Sequence, residues 1–224
     1  MIMKKLLIIC VLVADTLFAS AQNGVEIFRF DAQQKIETNQ SMIAPFYNGD
    51  EVKSLSYVLR SSTNVVFGGV TYSIKTGELM NGEDCEDYGF NVISIYRGNQ
   101  IIFELKQPDM WTFTYAGRSM TDYRQYTDNR YFIPVTVSQQ TLALLFVGWP
   151  YGGDMPLLSI VVLSGSDAKL VFNKNMDINS ITKSGTSFSM QVQTNVVEYD
   201  ESGKAFGSPD IHQIYSQNGV LYYK

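Results

Sequence analysis

The stretch from Phe132 to Phe172 decides the fold; it reads FIPVTVSQQTLALLFVGWPYGGDMPLLSIVVLSGSDAKLVF. Within it, Leu142 to Val147 and Leu157 to Leu163 are apolar at every position except Ser159. Strands that are apolar on both faces are typically central strands with a covering layer on each side. The stretch therefore predicts four strands in a row, two of which lie inside the protein.

Elsewhere the chain alternates apolar and polar residues, as strands with one wet face do. Phe188 to Val192 and Trp111 to Tyr115 are the clearest cases, and Gly98-Asn99 and Asn218-Gly219 are typical two-residue hairpin turns. Hairpins join antiparallel strands. After the first twenty residues, the sequence contains no long segment with a helical period of 3.6. We therefore predict an all-β, antiparallel chain in which helix is scarce.

The segment from Ile178 to Tyr223 divides into four more strands, with turns near Ser184-Gly185, Glu201 to Gly203 and Asn218-Gly219. For the whole chain we therefore predict an antiparallel meander of roughly 12–14 strands, folded as a two-sheet sandwich or an open barrel. A small or partial β-propeller of four-stranded blades is the alternative, because two meanders of similar length follow each other. No repeated Trp-Asp signature supports it.

The N-terminus has the layout of a signal peptide. Lys4 and Lys5 precede an apolar run, Leu6 to Phe18, that ends in Ala19-Ser20-Ala21. The run is shorter than the roughly 20 residues that a membrane-spanning helix needs. We expect cleavage after Ala21, which leaves residues 22–224 as a single all-β domain; a subdivision near 106–130 is the alternative. The protein is then exported, to the periplasm or the medium, and does not insert into the membrane after cleavage.

An uncleaved anchor and a lipoprotein acylated at Cys10 are the other interpretations of the N-terminus. Cys10 follows Ile9, where lipoprotein signals have a small residue. Cys85 is the single cysteine after residue 21, so the mature chain has no internal disulfide. Stability must therefore come from the core.

Charge argues against nucleic acid as a partner. Without the signal peptide the chain keeps 15 of its 17 Lys and Arg and 21 of its 22 Asp and Glu, a net charge of −6. A nucleic-acid-binding domain carries a basic surface instead. The expected partner is another exported protein or a glycan.

Catalytic residue types are scarce. His212 is the only histidine, and no Gly-x-Ser-x-Gly motif presents a nucleophilic serine. We interpret His212 as an ordinary residue of an edge strand. Cys85 has acidic neighbours, which raise a thiol's pKa and make it less reactive. We therefore name no catalytic residue and favour a protein that is not an enzyme.

Two groups of oxygen-bearing side chains are candidate calcium ligands. Apart from such a calcium ion, we expect the protein to have no cofactor. The first group surrounds Cys85, and the second recurs at every second position of one run. They are Glu83, Asp84, Glu86 and Asp87, and Asn173, Asn175 and Asp177. A solvated acidic loop and an Asn-rich strand connection are the competing interpretations.

Two aromatic-rich segments are candidate ligand-binding loops. In Ser119 to Arg130, tyrosines are mixed with arginines, a combination typical of protein-binding hot spots. In Trp149 to Asp154, a Pro and two Gly residues present aromatic faces after a buried strand. The candidate residues are Tyr123, Arg124 and Tyr126 in the first loop, and Trp149, Tyr151 and Asp154 in the second.

The leading hypothesis is an exported, non-enzymatic binding or interaction module that uses aromatic-rich loops on a β scaffold. One alternative is a glycoside hydrolase or another polysaccharide-active enzyme, which would need carboxylates converging in a cleft. Another is an inhibitor or structural partner of a different exported protein.

Overall fold

The computed structural model describes residues 24–44, 56–80, 90–107, 109–110, 131–150 and 155–224. The predicted signal peptide, Cys85, the alternation from Trp111 to Tyr115 and most of 106–130 lie outside these ranges. In the described ranges, no helix is both long and apolar enough to cross a bilayer.

Eighteen strands and one 3-10 turn, Gln40–Met42, make up the described elements. Twelve strands have four residues or more, and six have only two or three. In chain order the strands are β1 (Val25–Glu26), β2 (Phe28–Phe30), β3 (Ile36–Thr38), β4 (Ser56–Phe67), β5 (Val70–Met80), β6 (Phe90–Arg97), β7 (Gln100–Gln107), β8 (Asp109–Met110), β9 (Ile133–Ser138), β10 (Thr141–Pro150), β11 (Leu157–Ser164), β12 (Asp167–Asn175), β13 (Asp177–Ser184), β14 (Ser187–Gln193), β15 (Glu198–Tyr199), β16 (Ala205–Phe206), β17 (Ile211–Gln217) and β18 (Val220–Tyr223).

Three larger antiparallel sheets follow one another along the chain, and β2–β3 and β15–β16 form two separate two-stranded ribbons. The first sheet has the order β4-β5-β6-β7, and the middle sheet contains β9 to β12, with β8 added to β10. The last sheet has the order β1-β18-β17-β14-β13, so a strand from the N-terminal part completes it. The prediction of an all-β antiparallel fold is confirmed, and the sheets form a sandwich rather than a closed barrel.

The middle sheet is covered on both faces, as its sequence predicts. Ala143, Leu145 and Val147 belong to the buried cluster shared with the last sheet. Leu142, Leu144 and Phe146 belong to a second cluster shared with the first sheet. All six residues are at most 4% exposed. We expected two layers of β-sheet, and the structure has three. The reason is that the last sheet packs on one face of the middle sheet and the first sheet packs on the other.

The second predicted meander has one unforeseen insertion. Strands β13, β14, β17 and β18 are the four expected strands, and Ser184-Gly185 and Asn218-Gly219 lie at two of their turns. The turn from Glu201 to Gly203 instead belongs to the separate ribbon β15–β16, which lies between β14 and β17. Strand β17 pairs directly with β14, so the ribbon lies outside the sheet.

Candidate functional site

Most of the residues predicted to bind a ligand or calcium lie outside the described ranges and remain predictions. Trp149 is a partial exception, because its backbone is described. It pairs with Met110, so this position lies in strand β10 rather than in the loop that we expected. The residues outside the described ranges are Tyr123, Arg124, Tyr126, Tyr151, Asp154, Glu83, Asp84, Glu86 and Asp87.

The second group of proposed calcium ligands is distributed over two sheets. Asn173 in β12 is 1% exposed, and its Oδ1 accepts a hydrogen bond of 2.7 Å from the Ser159 hydroxyl. Asn175 is exposed at the end of β12, where its Nδ2 lies 3.4 Å from the carbonyl oxygen of Met155. Asp177 begins β13 in the last sheet. Across the described ranges, no three His, Cys, Asp or Glu side chains form a group able to hold a metal.

His212 does not lie on an edge strand. Its strand, β17, pairs with β14 on one side and β18 on the other, so this expectation was wrong. The imidazole stacks on the Tyr223 ring, with 5.0 Å between the centroids, and its Nε2 lies 3.2 Å from Asp210 Oδ2.

One candidate binding site is a groove on the outer face of the first sheet. It has a volume of about 330 Å³. Its lining residues come from all four strands of the sheet, and we call it the outer-face groove. They are Tyr57, Leu59, Lys75, Leu79, Val92, Ser94, Tyr96, Glu104 and Lys106.

Gly77 makes room for the most prominent aromatic ring of the groove. A Cβ atom at position 77 would lie 2.5 Å from Tyr57 Cε2, so any other residue would displace this ring. Tyr57 is nevertheless 48% exposed. Burial of part of the side chain raises the pKa of Tyr57, and the nearby Tyr96 and Glu104 raise it further. The phenol therefore stays protonated and can donate a hydrogen bond at neutral pH.

Charged groups line the same groove. Lys75 Nζ lies 4.5 Å from the centroid of the Tyr96 ring, within cation–π range. Lys106 Nζ lies 3.0 Å from Glu104 Oε1. The groove therefore combines exposed aromatic surface with both signs of charge.

Exposed apolar side chains are concentrated on the same sheet. Among the described residues, eight large apolar side chains are strongly exposed, and four of them belong to the first sheet. These are Tyr57, Leu59, Val66 and Ile101, with exposed fractions of 48–70%. Tyr57 and Leu59 line the outer-face groove, so two of these four side chains contribute exposed apolar surface to it.

A second exposed feature is the ribbon between β14 and β17, residues 194–210, which we call the projecting ribbon. Residues 201–210 are all exposed, and Phe206 is 63% exposed. At its tip, Asp200 Oδ1 accepts hydrogen bonds of 2.9 Å from the backbone N–H groups of Ser202 and Lys204. At its base, Asp210 Oδ2 accepts a hydrogen bond of 2.6 Å from the Thr194 hydroxyl. The two aspartates thus add side-chain hydrogen bonds at both ends of a ribbon that is also held by backbone pairing and by Asn195.

We predict that the projecting ribbon loses its order in acid. Hydrogen bonds from Ser202 and Lys204 lower the pKa of Asp200, and those from Thr194 and His212 lower the pKa of Asp210. A lowered pKa means that the ordering is present above the unfolded value of about 3.9 and is lost as the pH falls through the folded value. Amide signals of Ser202 and Gly203, followed by NMR from pH 6 to pH 2, measure this loss.

Asp200→Asn provides the control for this titration, because its amide oxygen can still accept the turn hydrogen bonds but does not titrate. The tip in this variant should keep its order at lower pH than the wild type. Identical pH profiles in the two proteins would contradict the role given to Asp200.

One feature of the sequence indicates the groove. Gly77 interrupts an otherwise regular strand, and an isolated glycine in a strand often marks a close approach by another group. Tyr57 and Tyr96 themselves resemble ordinary core-filling aromatics.

Comparison of the chain with protein-family models, with curated proteins and with solved structures gives no match.

Proposed function

We propose that this protein is an exported, non-enzymatic binding module that docks another exported protein in the outer-face groove. The observation that carries the proposal is the half-exposed Tyr57 ring, which Gly77 accommodates and which lies in a groove with Lys75, Tyr96 and Lys106. Tyrosine surrounded by apolar surface and charge is typical of the residues that dominate the energetics of protein–protein interfaces. The N-terminal layout supports export.

The composition of the groove favours docking over glycoside hydrolysis. Glu104 is the only carboxylate among its lining residues in the described part of the chain. Hydrolysis of a glycosidic bond normally uses two carboxyl groups about 5–10 Å apart. Glu104 is also engaged by Lys106, whose Nζ lies 3.0 Å from its Oε1.

We expect Tyr57→Ala to weaken the binding of the docked protein by about 30-fold, the loss typical of an interface hot spot. The partner is first identified in envelope extract by a photo-crosslinking amino acid placed at Leu59, a strongly exposed position in the groove. The same amino acid at Gln191, in β14 of the last sheet, is the matched control. Affinity for the purified partner is then measured by calorimetry.

Tyr222→Ala is the control for loss of an aromatic ring, because Tyr222 stacks on Tyr215 in the last sheet. It should leave the affinity unchanged. Equal crosslinking at positions 59 and 191, or equal losses from Tyr57→Ala and Tyr222→Ala, would refute docking in the groove.

A further inference from the structure

Three hairpin turns from two sheets meet around a cleft of about 500 Å³. One turn, Gln139-Gln140, belongs to the middle sheet, and two, Gly185-Thr186 and Asn218-Gly219, belong to the last sheet. We call this space the turn cleft. Its volume falls within the range of small-molecule binding sites, about 300–1,000 Å³.

The turns that form the cleft have well-defined backbones. Gly185, Asn218 and Gly219 all have positive φ angles, of 56°, 51° and 80°, as tight hairpin turns require. The Ser138 hydroxyl accepts a hydrogen bond of 3.1 Å from the backbone N–H of Gln140. Ser216, which is 8% exposed, accepts one of 2.8 Å from the backbone N–H of Phe188. One of these serine hydroxyls orders the turn of the middle sheet, and the other joins β14 to β17 within the last sheet.

Other polar groups around the cleft are available to a ligand. The side chains of Gln139, Gln140, Thr186, Gln217 and Asn218 are exposed, and within the described ranges they make no hydrogen bond to the protein. Amide and hydroxyl groups both donate and accept hydrogen bonds, as the hydroxyl groups of a sugar do. The lining also includes the buried Val137.

The lack of charged side chains in the described lining favours an uncharged ligand. The described lining of the cleft contains no Lys, Arg, Asp or Glu. A charged ligand would lose hydration without gaining an ionic partner, which is unfavourable. Neutral hydroxyl groups can exchange their water for amide and hydroxyl partners at little cost.

We infer that the turn cleft binds a neutral saccharide of one or two rings. The site is separate from the outer-face groove, since it is lined by the middle and last sheets rather than by the first. The inference therefore does not depend on protein docking in the groove.

Calorimetry on the mature full chain tests this inference with glucose, galactose, mannose, N-acetylglucosamine, maltose, cellobiose and lactose. Glucuronic acid and glucosamine are the charged comparators. We expect saturable binding of at least one neutral sugar, and affinity lower by roughly tenfold in Gln140→Ala and in Gln217→Ala, because each loses hydrogen bonds to the ligand.

Gln191→Ala removes the same kind of side chain from β14, outside the cleft lining, and is the matched control. Its affinity for the sugar should equal that of the wild type. Thr186→Trp, at an exposed turn position, should block the cleft without disturbing the core.

The inference is overturned if no neutral sugar binds, if the charged comparators bind as well as the neutral sugars, or if Gln140→Ala, Gln217→Ala and Thr186→Trp all bind like the wild type. Tyr57→Ala should leave sugar binding unchanged, because Tyr57 does not line the cleft. Protein docking and sugar binding can therefore fail independently.

Discussion

Alanine at Leu145 and alanine at Phe146 are each expected to lower the free energy of unfolding by about 2–5 kcal/mol. The two side chains are neighbours in β10 and belong to different buried clusters, and both are 0% exposed. A large apolar side chain that is removed from a packed interior leaves a cavity, so both substitutions are costly. Urea denaturation of the two variants and the wild type measures the effect.

Val66→Ala is the matched control, because Val66 is apolar but 70% exposed in β4. Its free energy of unfolding should change by no more than about 0.5 kcal/mol. In a sandwich of only two sheets, one face of β10 would be solvated, and one of the two core substitutions would be tolerated. Such an asymmetry would contradict a middle sheet that is covered on both faces.

Tyr72→Ala should lower the free energy of unfolding by about 3–5 kcal/mol, the range for a large buried aromatic side chain. Tyr72 lies in β5 of the first sheet and is 1% exposed. Its hydroxyl donates a hydrogen bond of 2.7 Å to the carbonyl oxygen of Gly165, in the turn between β11 and β12 of the middle sheet. One residue thus contributes both apolar packing and a hydrogen bond between the two sheets.

Tyr72→Phe separates these two contributions. It keeps the ring and removes the hydroxyl, so the expected loss is only about 0.5–1.5 kcal/mol. Thr71→Ala, at the exposed neighbouring position, should be nearly neutral. If Tyr72→Ala were as mild as Thr71→Ala, the first sheet would not pack on the middle sheet as described.

The fold was largely predictable from the sequence because its main signals are local. The apolar runs Leu142 to Val147 and Leu157 to Leu163 indicated buried strands, and Asn218-Gly219 indicated a hairpin. The third layer was not predicted. The sheet that covers each face of the middle sheet is determined by contacts between residues far apart in the chain, and the local sequence does not show them. Strand β1, which pairs with β18 from the opposite end of the described chain, is the extreme case.

The candidate sites were much less predictable. The outer-face groove exists because Tyr57 reaches across to Gly77, twenty residues away, and this contact depends on the register of β4 and β5. The alternation of apolar and polar residues in β4 also does not indicate which face of the sheet is covered. The turn cleft likewise requires three turns from two sheets to meet. The local sequence around turn residues such as Gln140 and Gln217 does not indicate that these turns lie close together.

Hydrogen exchange followed by mass spectrometry tests the three-layer stack most directly. Peptides that cover Leu142 to Val147 and Leu157 to Leu163 should exchange more slowly than all other described strands, because their amides open only when the protein unfolds globally. Peptides from β4 and β13, at the edges of the first and last sheets, should exchange sooner. Exchange of β10 and β11 as fast as that of β4 and β13 would contradict a middle sheet enclosed on both faces.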